Sequence, residues 1–213
     1  MEYMDVINKR RSIRQFKDTP IPKIIVDAII ESARVAPSGG NGQGWLFGVV
    51  TDKAIIKKLA QAAGNQTWIT TAPLVIALCA DISWTLAGAA EDDHGLAVNR
   101  IRFTPELIEY LKKYPDQRAV ATVLENADTI IGGEHIALTV VNYGLSACWI
   151  GLLDIRKASK ILNLPEKYAC LFLMPVGYAD QEPRQITRKA VEEIAFKDSY
   201  EKKYRYTGKK TTR

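Results

Sequence analysis

Three arginines and a hydroxyl fall within five residues near the start of the chain, Arg10-Arg11-Ser12-Ile13-Arg14. A guanidinium presents paired N–H donors in a fixed fork that fits phosphate oxygens, and a serine hydroxyl adds a donor to the same anion. A second stretch, Ala36-Pro37-Ser38-Gly39-Gly40-Asn41-Gly42-Gln43-Gly44-Trp45, combines small residues that let the backbone approach a ligand with two amides and an indole. Further on come Cys148-Trp149-Ile150-Gly151, Pro175-Val176-Gly177-Tyr178, and the basic residues Arg184 and Arg188. Taken alone, a short basic run is usually a solvated helix end. In this company it anticipates a bound phosphate and an electron-rich ring.

These side chains need one scaffold. At 213 residues the chain is long enough for one well-buried core and short for two, which predicts a single domain. No run approaches the roughly 20 apolar residues that span a bilayer. The N-terminus, with Glu2 and Asp5, lacks the basic-then-apolar order of a signal peptide, so the expectation is a cytoplasmic protein without a membrane partner. Cys79, Cys148 and Cys170 sit in apolar surroundings without metal-ligand spacing and read as reduced core residues. The formal charge of +5 invites a nucleic-acid reading, yet residues 197–213 hold seven Lys or Arg against two acidic residues and so carry all of it. A basic extension over 195–213 on an electrically balanced body is expected, with no nucleic-acid partner.

After Pro20 and Pro22, residues 24–36 read as a helix with Asp27, Glu31 and Arg34 outward and Ile25, Ala28, Ile29, Ser32 and Ala33 inward, stopped by Pro37. Residues 46–51 have strand length, Asp52 caps a helix over 53–63, and 74–80 is a near-continuous buried strand. A long helix over 128–143 ends at Gly144, followed by a strand over 146–150. Asp154 caps a short helix reaching 162, and 169–176 forms the last strand. Helices and strands alternate unevenly, and no GxGxxG turn follows the first strand. The pattern predicts an α+β sandwich, not a doubly wound nucleotide fold.

The segment 81–126 stands apart. It carries Glu91-Asp92-Asp93-His94, a helix opened by Thr104-Pro105, and little continuous apolar periodicity, so it reads as a loop-rich, cap-like insertion. Its acidic run holds one histidine, and His135 falls in a predicted helix, so no metal is expected.

The ordered set of segments resembles the FMN-dependent nitroreductase family. That family shows an R-x-S-x-R/K near the N-terminus, then P-S-x-x-N-x-Q-P-W, a late G-L-x-x-x-W-I-G and a final basic pair; the likeness spans residues 3 to about 194. One departure is Gly44, where the family pattern has proline between Gln43 and Trp45. The resemblance implies a three-layer sandwich, with a central, mostly antiparallel sheet flanked by helices, in an intertwined homodimer. It further implies an oxidoreductase passing hydride from NAD(P)H through N5 of bound FMN to a nitroaromatic, quinone or similar small electron acceptor. A flavin-binding sensor or store without turnover is the alternative.

No catalytic acid or base is implied, because the isoalloxazine carries the chemistry. By the same match Arg14 stabilises charge at N1 and O2, while Arg10 and Ser12 hold the phosphate and ribityl end and Arg188 reaches the phosphate; Arg11 is also cofactor-binding, and Arg184 is a weaker partner. Either Asn65 or Gln66 meets the pyrimidine edge. Ile150 and Gly151 pass the ring, with the Gly151 amide toward N5. Pro37, Ser38, Gly39 and Asn41 reach the FMN from the neighbouring subunit. The 81–126 insertion would cover the flavin and face the acceptor, with Trp84 and Phe103 as its aromatic candidates.

Overall fold

In the computed structural model, which describes residues 1–208, the chain divides into two units, Met1–Gln181 and Glu182–Arg213. The first opens with α1 (Tyr3–Lys9), α2 (Lys23–Arg34), β1 (Trp45–Val50), α3 (Lys53–Ala62) and β2 (Leu74–Asp81). Three helices follow, α4 (His94–Arg102), α5 (Pro105–Lys113) and α6 (Gln117–Leu124). The unit closes with α7 (Ala127–Asn142), β3 (Ser146–Ala147), α8 (Ile155–Ile161) and β4 (Tyr168–Gly177).

Strand β2 is apolar from Leu74 to Ala80 because both its faces are covered there. Leu74, Ile76 and Leu78 pack with Ile29 of α2 and with Ile136 and Val140 of α7. Val75, Ala77 and Cys79 pack with Ile56 and Leu59 of α3 and Ala158 of α8. Alternation along one strand thus feeds two helix layers, giving the expected three-layer α+β sandwich. The sheet order is β1-β2-β4-β3, and each pairing is antiparallel. Cys79 lies opposite Cys170 across β2 and β4. A hydrogen bond with the Cys79 thiol, then burial, push the Cys170 thiol up, and Cys79, Cys148 and Cys170 are buried and outside any disulfide.

Local signals account for most element ends. Asp52 Oδ1 accepts from the N–H groups of Ala54 and Ile55 at 2.8 and 2.9 Å, and Asp154 Oδ1 from Lys157 N at 2.9 Å. Gly144, at φ 73°, closes α7 in the left-handed conformation that glycine adopts without strain. The strand expected over 146–150 shortens to Ser146–Ala147. Beyond it the chain stays tied to β4 by Cys148 N to Pro175 O at 3.3 Å and Ile150 N to Leu173 O at 2.9 Å.

The insertion differs from its loop-rich reading. Each of α4, α5 and α6 starts on a side-chain cap, from Asp93, Thr104 and Asp116. Leu86, Leu96, Ile108 and Val120 form a small apolar cluster of their own. Each helix has only 8 or 9 residues, little more than two turns, so its apolar pattern repeats too few times to stand out from the connecting loops. The acidic run is spent on this packing: Glu91 pairs with Arg100 at 2.8 Å and Lys112 at 3.6 Å, and Asp93 accepts from Trp84 Nε1 at 3.1 Å.

In the second unit, α9 (Val191–Ile194) is capped by Glu193 Oε2 accepting from Ala190 N at 2.7 Å. Phe196 bridges Lys203 and meets the Tyr200 ring edge-on at 6.2 Å. Residues 209–213 of the basic extension lie outside the described residues. Among those described, no helix is long and apolar enough to cross a membrane.

Candidate functional site

The arginine segment begins where α1 ends. Arg10 N donates to Val6 O at 3.0 Å, and the chain then runs extended along the sheet edge. Ser12 bridges Ala147 in parallel, Ile13 N donates to Ala147 O at 3.2 Å, and Phe16 N donates to Thr71 Oγ1 at 3.2 Å. Ile13 and Phe16 are buried with Ala72, which leaves Ser12 and Arg14 facing out.

These side chains converge on one thiol. Burial pushes the Cys148 thiol above its ordinary range, while Arg14, a hydrogen bond with Ser12, and Arg10 act in the opposite direction. The Arg14 guanidinium carbon lies 6.0 Å from the centre of the Trp68 ring, a cation–π approach. Arg11 is placed otherwise. Its Nη1 donates to Asn8 O at 2.7 Å and Arg10 O at 2.8 Å, tying down the end of α1.

The turn after α3 stands next to this cluster. Gly64 and Asn65, at φ 69° and 56°, reverse the chain, and Trp68 follows in the short 3-10 turn Thr67–Thr71. Gln66 Nε2 is committed to Ala63 O at 2.8 Å. Among the described residues the Asn65 side chain has no hydrogen-bond partner, and it lines a cavity of about 460 Å³. Segment 148–151 returns here as well, since Asp154 N donates to Ala62 O at 2.8 Å. Gly151 is exposed; a Cβ added there would meet only Phe172, at 3.7 Å, an ordinary contact.

Segment 37–41 lies at the opposite end of the sheet. Gly39 N donates to the Asp128 carboxylate at 3.2 Å, Gln43 N to Ser38 Oγ at 3.0 Å, and Asp81 N to Gly44 O at 2.9 Å. Gln43 sits at φ 50°, a conformation that a proline at 44 would oppose, so the unusual Gly44 has a local reason. Asp128 opens α7, whereas Ala147 follows its end; Asp81 ends β2, whereas Leu74, aligned with Val176 and Ala147, begins it. At about 1.5 Å per helical residue and about 3.3 Å per strand residue, both rulers put the two ends roughly 20 Å apart. Burial pushes the Glu125 carboxyl up beside this end, and Asp128 adds to the shift. Arg184 and Arg188 are exposed residues of the second unit.

Two residues that position the site carry no sequence signal. Thr71 holds the arginine segment from 55 positions away, and Asp128 grips the backbone of Gly39 from 89 away. Neither contact has a local pattern.

Residues 7–178 match the Nitroreductase family. The chain belongs to this family. Among its relatives, a Thermus thermophilus NADH dehydrogenase is 31% identical over 189 residues, covering 88% of this chain and 92% of the relative. The solved structure of B. megaterium NfrA2 superposes with a TM-score of 0.73 at 28% identity, covering 94% of this chain and 76% of that one. The NADPH:FMN oxidoreductase from Vibrio harveyi, complexed with NAD+, gives 0.68 at 26% identity, covering 93% and 77%. The nitroreductase match contains segments 10–14, 37–41, 65–66 and 148–151, and Arg188 falls beyond it.

Proposed function

We propose that the chain is an NAD(P)H-dependent flavin oxidoreductase with FMN as cofactor and a nitroaromatic, quinone or similar electron-poor molecule as acceptor. The observation that carries this reading is the convergence of Arg10, Ser12 and Arg14 on the Cys148 thiol, beside Trp68 and Asn65. The donor set fits FMN: two guanidinium forks and a hydroxyl suit a phosphate and an anionic ring edge, and an unpartnered amide suits a pyrimidine edge. The exposed Gly151 backbone fits as well, because nothing among the described residues requires a glycine there.

When bound, FMN supplies a carrier that takes hydride at N5 from a nicotinamide and passes it to a second acceptor. Arg10 and Ser12 hold the phosphate, and Arg11 steadies the helix end from which they start. Arg14 offsets the negative charge that reduction places at N1 and O2. Asn65 meets the pyrimidine edge while Gln66 holds the turn that presents it. Ile150 and Gly151 pass the ring, with the Gly151 N–H directed to N5. No side chain acts as acid or base, and the proton comes from water.

Pro37, Ser38, Gly39 and Asn41 complete the site of a second copy in a homodimer, and the roughly 20 Å between them and Arg14 within one chain supports that assignment. The flavin domain covers residues 1–194, with 81–126 as the cap that selects acceptors and 195–213 as a basic extension. The protein works in the cytoplasm, without metal or nucleic acid. The test is anaerobic mixing of the FMN-loaded protein with NADH or NADPH. Loss of the yellow absorbance, restored by a quinone or nitroaromatic, is expected; persistent colour refutes turnover and leaves a flavin-binding sensor or store.

A further inference from the structure

The cavity that Asn65 lines has a polar wall unrelated to the arginine cluster. Lys53, Lys57 and Gln61 recur at every fourth residue along one stripe of α3, and Asn65, Thr67 and Thr70 face them from the following turn. Among the described residues no acidic side chain lines the space. Lys53 is paired with Asp18 at 3.1 Å, and the Thr70 hydroxyl donates to Thr67 O at 2.7 Å. Among the described residues, the side chains of Lys57, Gln61 and Asn65 have no partner. A cation, two amides and a hydroxyl around some 460 Å³ describe a seat for a phosphate-bearing small molecule.

The cavity shares Asn65 with the proposed flavin site, which narrows the ligand. A molecule that places phosphate at Lys57 and continues past Asn65 must bring a reacting group to the flavin. The nicotinamide donor is such a molecule, since its reacting ring is joined through one ribose to a pyrophosphate and, in NADPH, through a second ribose to a 2′-phosphate. We propose that this cavity seats a phosphate of the nicotinamide donor, with Lys57 as its cation and Gln61 and Thr67 as flanking donors. The proposal rests on the oxidoreductase reading above. The phosphate is either one of the pyrophosphate pair, common to NADH and NADPH, or the 2′-phosphate that NADPH alone carries.

The test uses the FMN-loaded protein with Lys57→Gln, and Lys58→Gln as a neighbour that does not line the cavity. Donor KM is measured with NADH and NADPH at a fixed quinone concentration. Binding of two nicotinamide-free probes, ADP-ribose and 2′-phospho-ADP-ribose, is measured by calorimetry. Losing a charge-assisted phosphate contact is expected to raise KM roughly tenfold with kcat unchanged, and to weaken a probe by a similar factor. Weakening of both probes identifies the pyrophosphate, and weakening of the 2′-phosphorylated probe alone identifies the 2′-phosphate. The proposal is overturned if Lys57→Gln matches the parent in both KM values and both probe affinities. It is equally overturned if Lys58→Gln produces the same shift, or if Lys57→Gln loses flavin, which would assign the cavity to the cofactor. A parent that neither nucleotide bleaches removes the oxidoreductase reading and this proposal together; a parent that bleaches beside an unaffected Lys57→Gln removes this proposal alone.

Discussion

Replacing Gly151 with alanine separates a glycine needed by the fold from one needed by a ligand. The added Cβ would stand 3.7 Å from the Phe172 ring edge, a normal van der Waals distance, so the chain itself has room for it. The backbone cannot move away on the other side: Ile150 N donates to Leu173 O at 2.9 Å, and Leu173 N donates back to Ile150 O at 3.2 Å. Whatever lies against the exposed side of Gly151 must therefore absorb the methyl group. Overpacking a close contact by one methyl costs about 1–3 kcal/mol, which corresponds to roughly 5- to 150-fold weaker FMN binding. The assay is titration of flavin-free protein with FMN, followed by fluorescence quenching, beside thermal melts of the same flavin-free protein. The melting temperature should stay within about 2 °C of the parent, since a shift of that size is less than about 1 kcal/mol in a chain of this length. A variant that binds FMN as tightly as the parent refutes the ring-side placement. One that melts well below it without flavin shows that the glycine serves the fold.

Arg10→Ala should yield folded protein that purifies with most of its flavin lost, because truncating one partner of a charge-assisted phosphate contact costs about 2–5 kcal/mol; full occupancy by absorbance would sink the phosphate assignment. Gly133→Ala should lower stability, since its Cβ would overlap Trp149 and Leu78. With both contacts well inside van der Waals distance, about 2–3 kcal/mol of overpacking, less about 1 kcal/mol gained in helix propensity, leaves a loss of about 1–2 kcal/mol, or roughly 2–8 °C by differential scanning calorimetry; an unchanged melt would contradict the close packing of α7. Glu125→Gln should raise the melting temperature at pH 7. With its folded pKa raised, Glu125 contributes fully below its unfolded pKa and loses that contribution as pH rises through the folded value, so the variant's advantage should vanish near pH 4; an advantage that persists there excludes the carboxyl as its source.

The layers were legible because long apolar runs record burial directly. Residues 74–80 and 169–176 are covered on both faces, and no polar alternation could survive there. Asp52, Thr104-Pro105, Asp154 and Gly144 marked helix ends through local backbone chemistry, which needs no tertiary knowledge. Within the insertion the start of α5 was legible, but α4 and α6, of 9 and 8 residues, were too short to stand out, and so was α1, which buries only Val6. At the site, residue types were readable but their commitments were not. Arg11 looks like its neighbours in sequence, yet two local carbonyls take its guanidinium. Gln66 and Asn65 are equivalent amides until the φ values of Gly64 and Asn65 turn one inward and leave the other free. The separation of segment 37–41 from Arg14 is set by the lengths of α7 and β2, quantities no motif contains.

The segment from Cys148 to Gly151 connects the core to the charge of the site. Trp149 fits against α7 only because Gly133 has no side chain, and its ring meets Phe172 edge-on at 5.5 Å. Cys148 and Ile150 are held to β4 by backbone hydrogen bonds. Gly151 is therefore presented on a segment fixed from both faces, as a backbone donor must be if it is to be aimed without reorganisation. The same burial sets the state of Cys148. A thiolate at that position would sit between Arg10, Ser12 and Arg14, neutralise part of their charge and occupy the donors an anionic ligand needs. Burial outweighs the two arginines and keeps the thiol above its ordinary range, hence protonated at neutral pH, with the Trp149 carbonyl 3.5 Å from its sulfur to accept the proton. Because Cys148 stays neutral, both guanidinium charges remain available to the ligand.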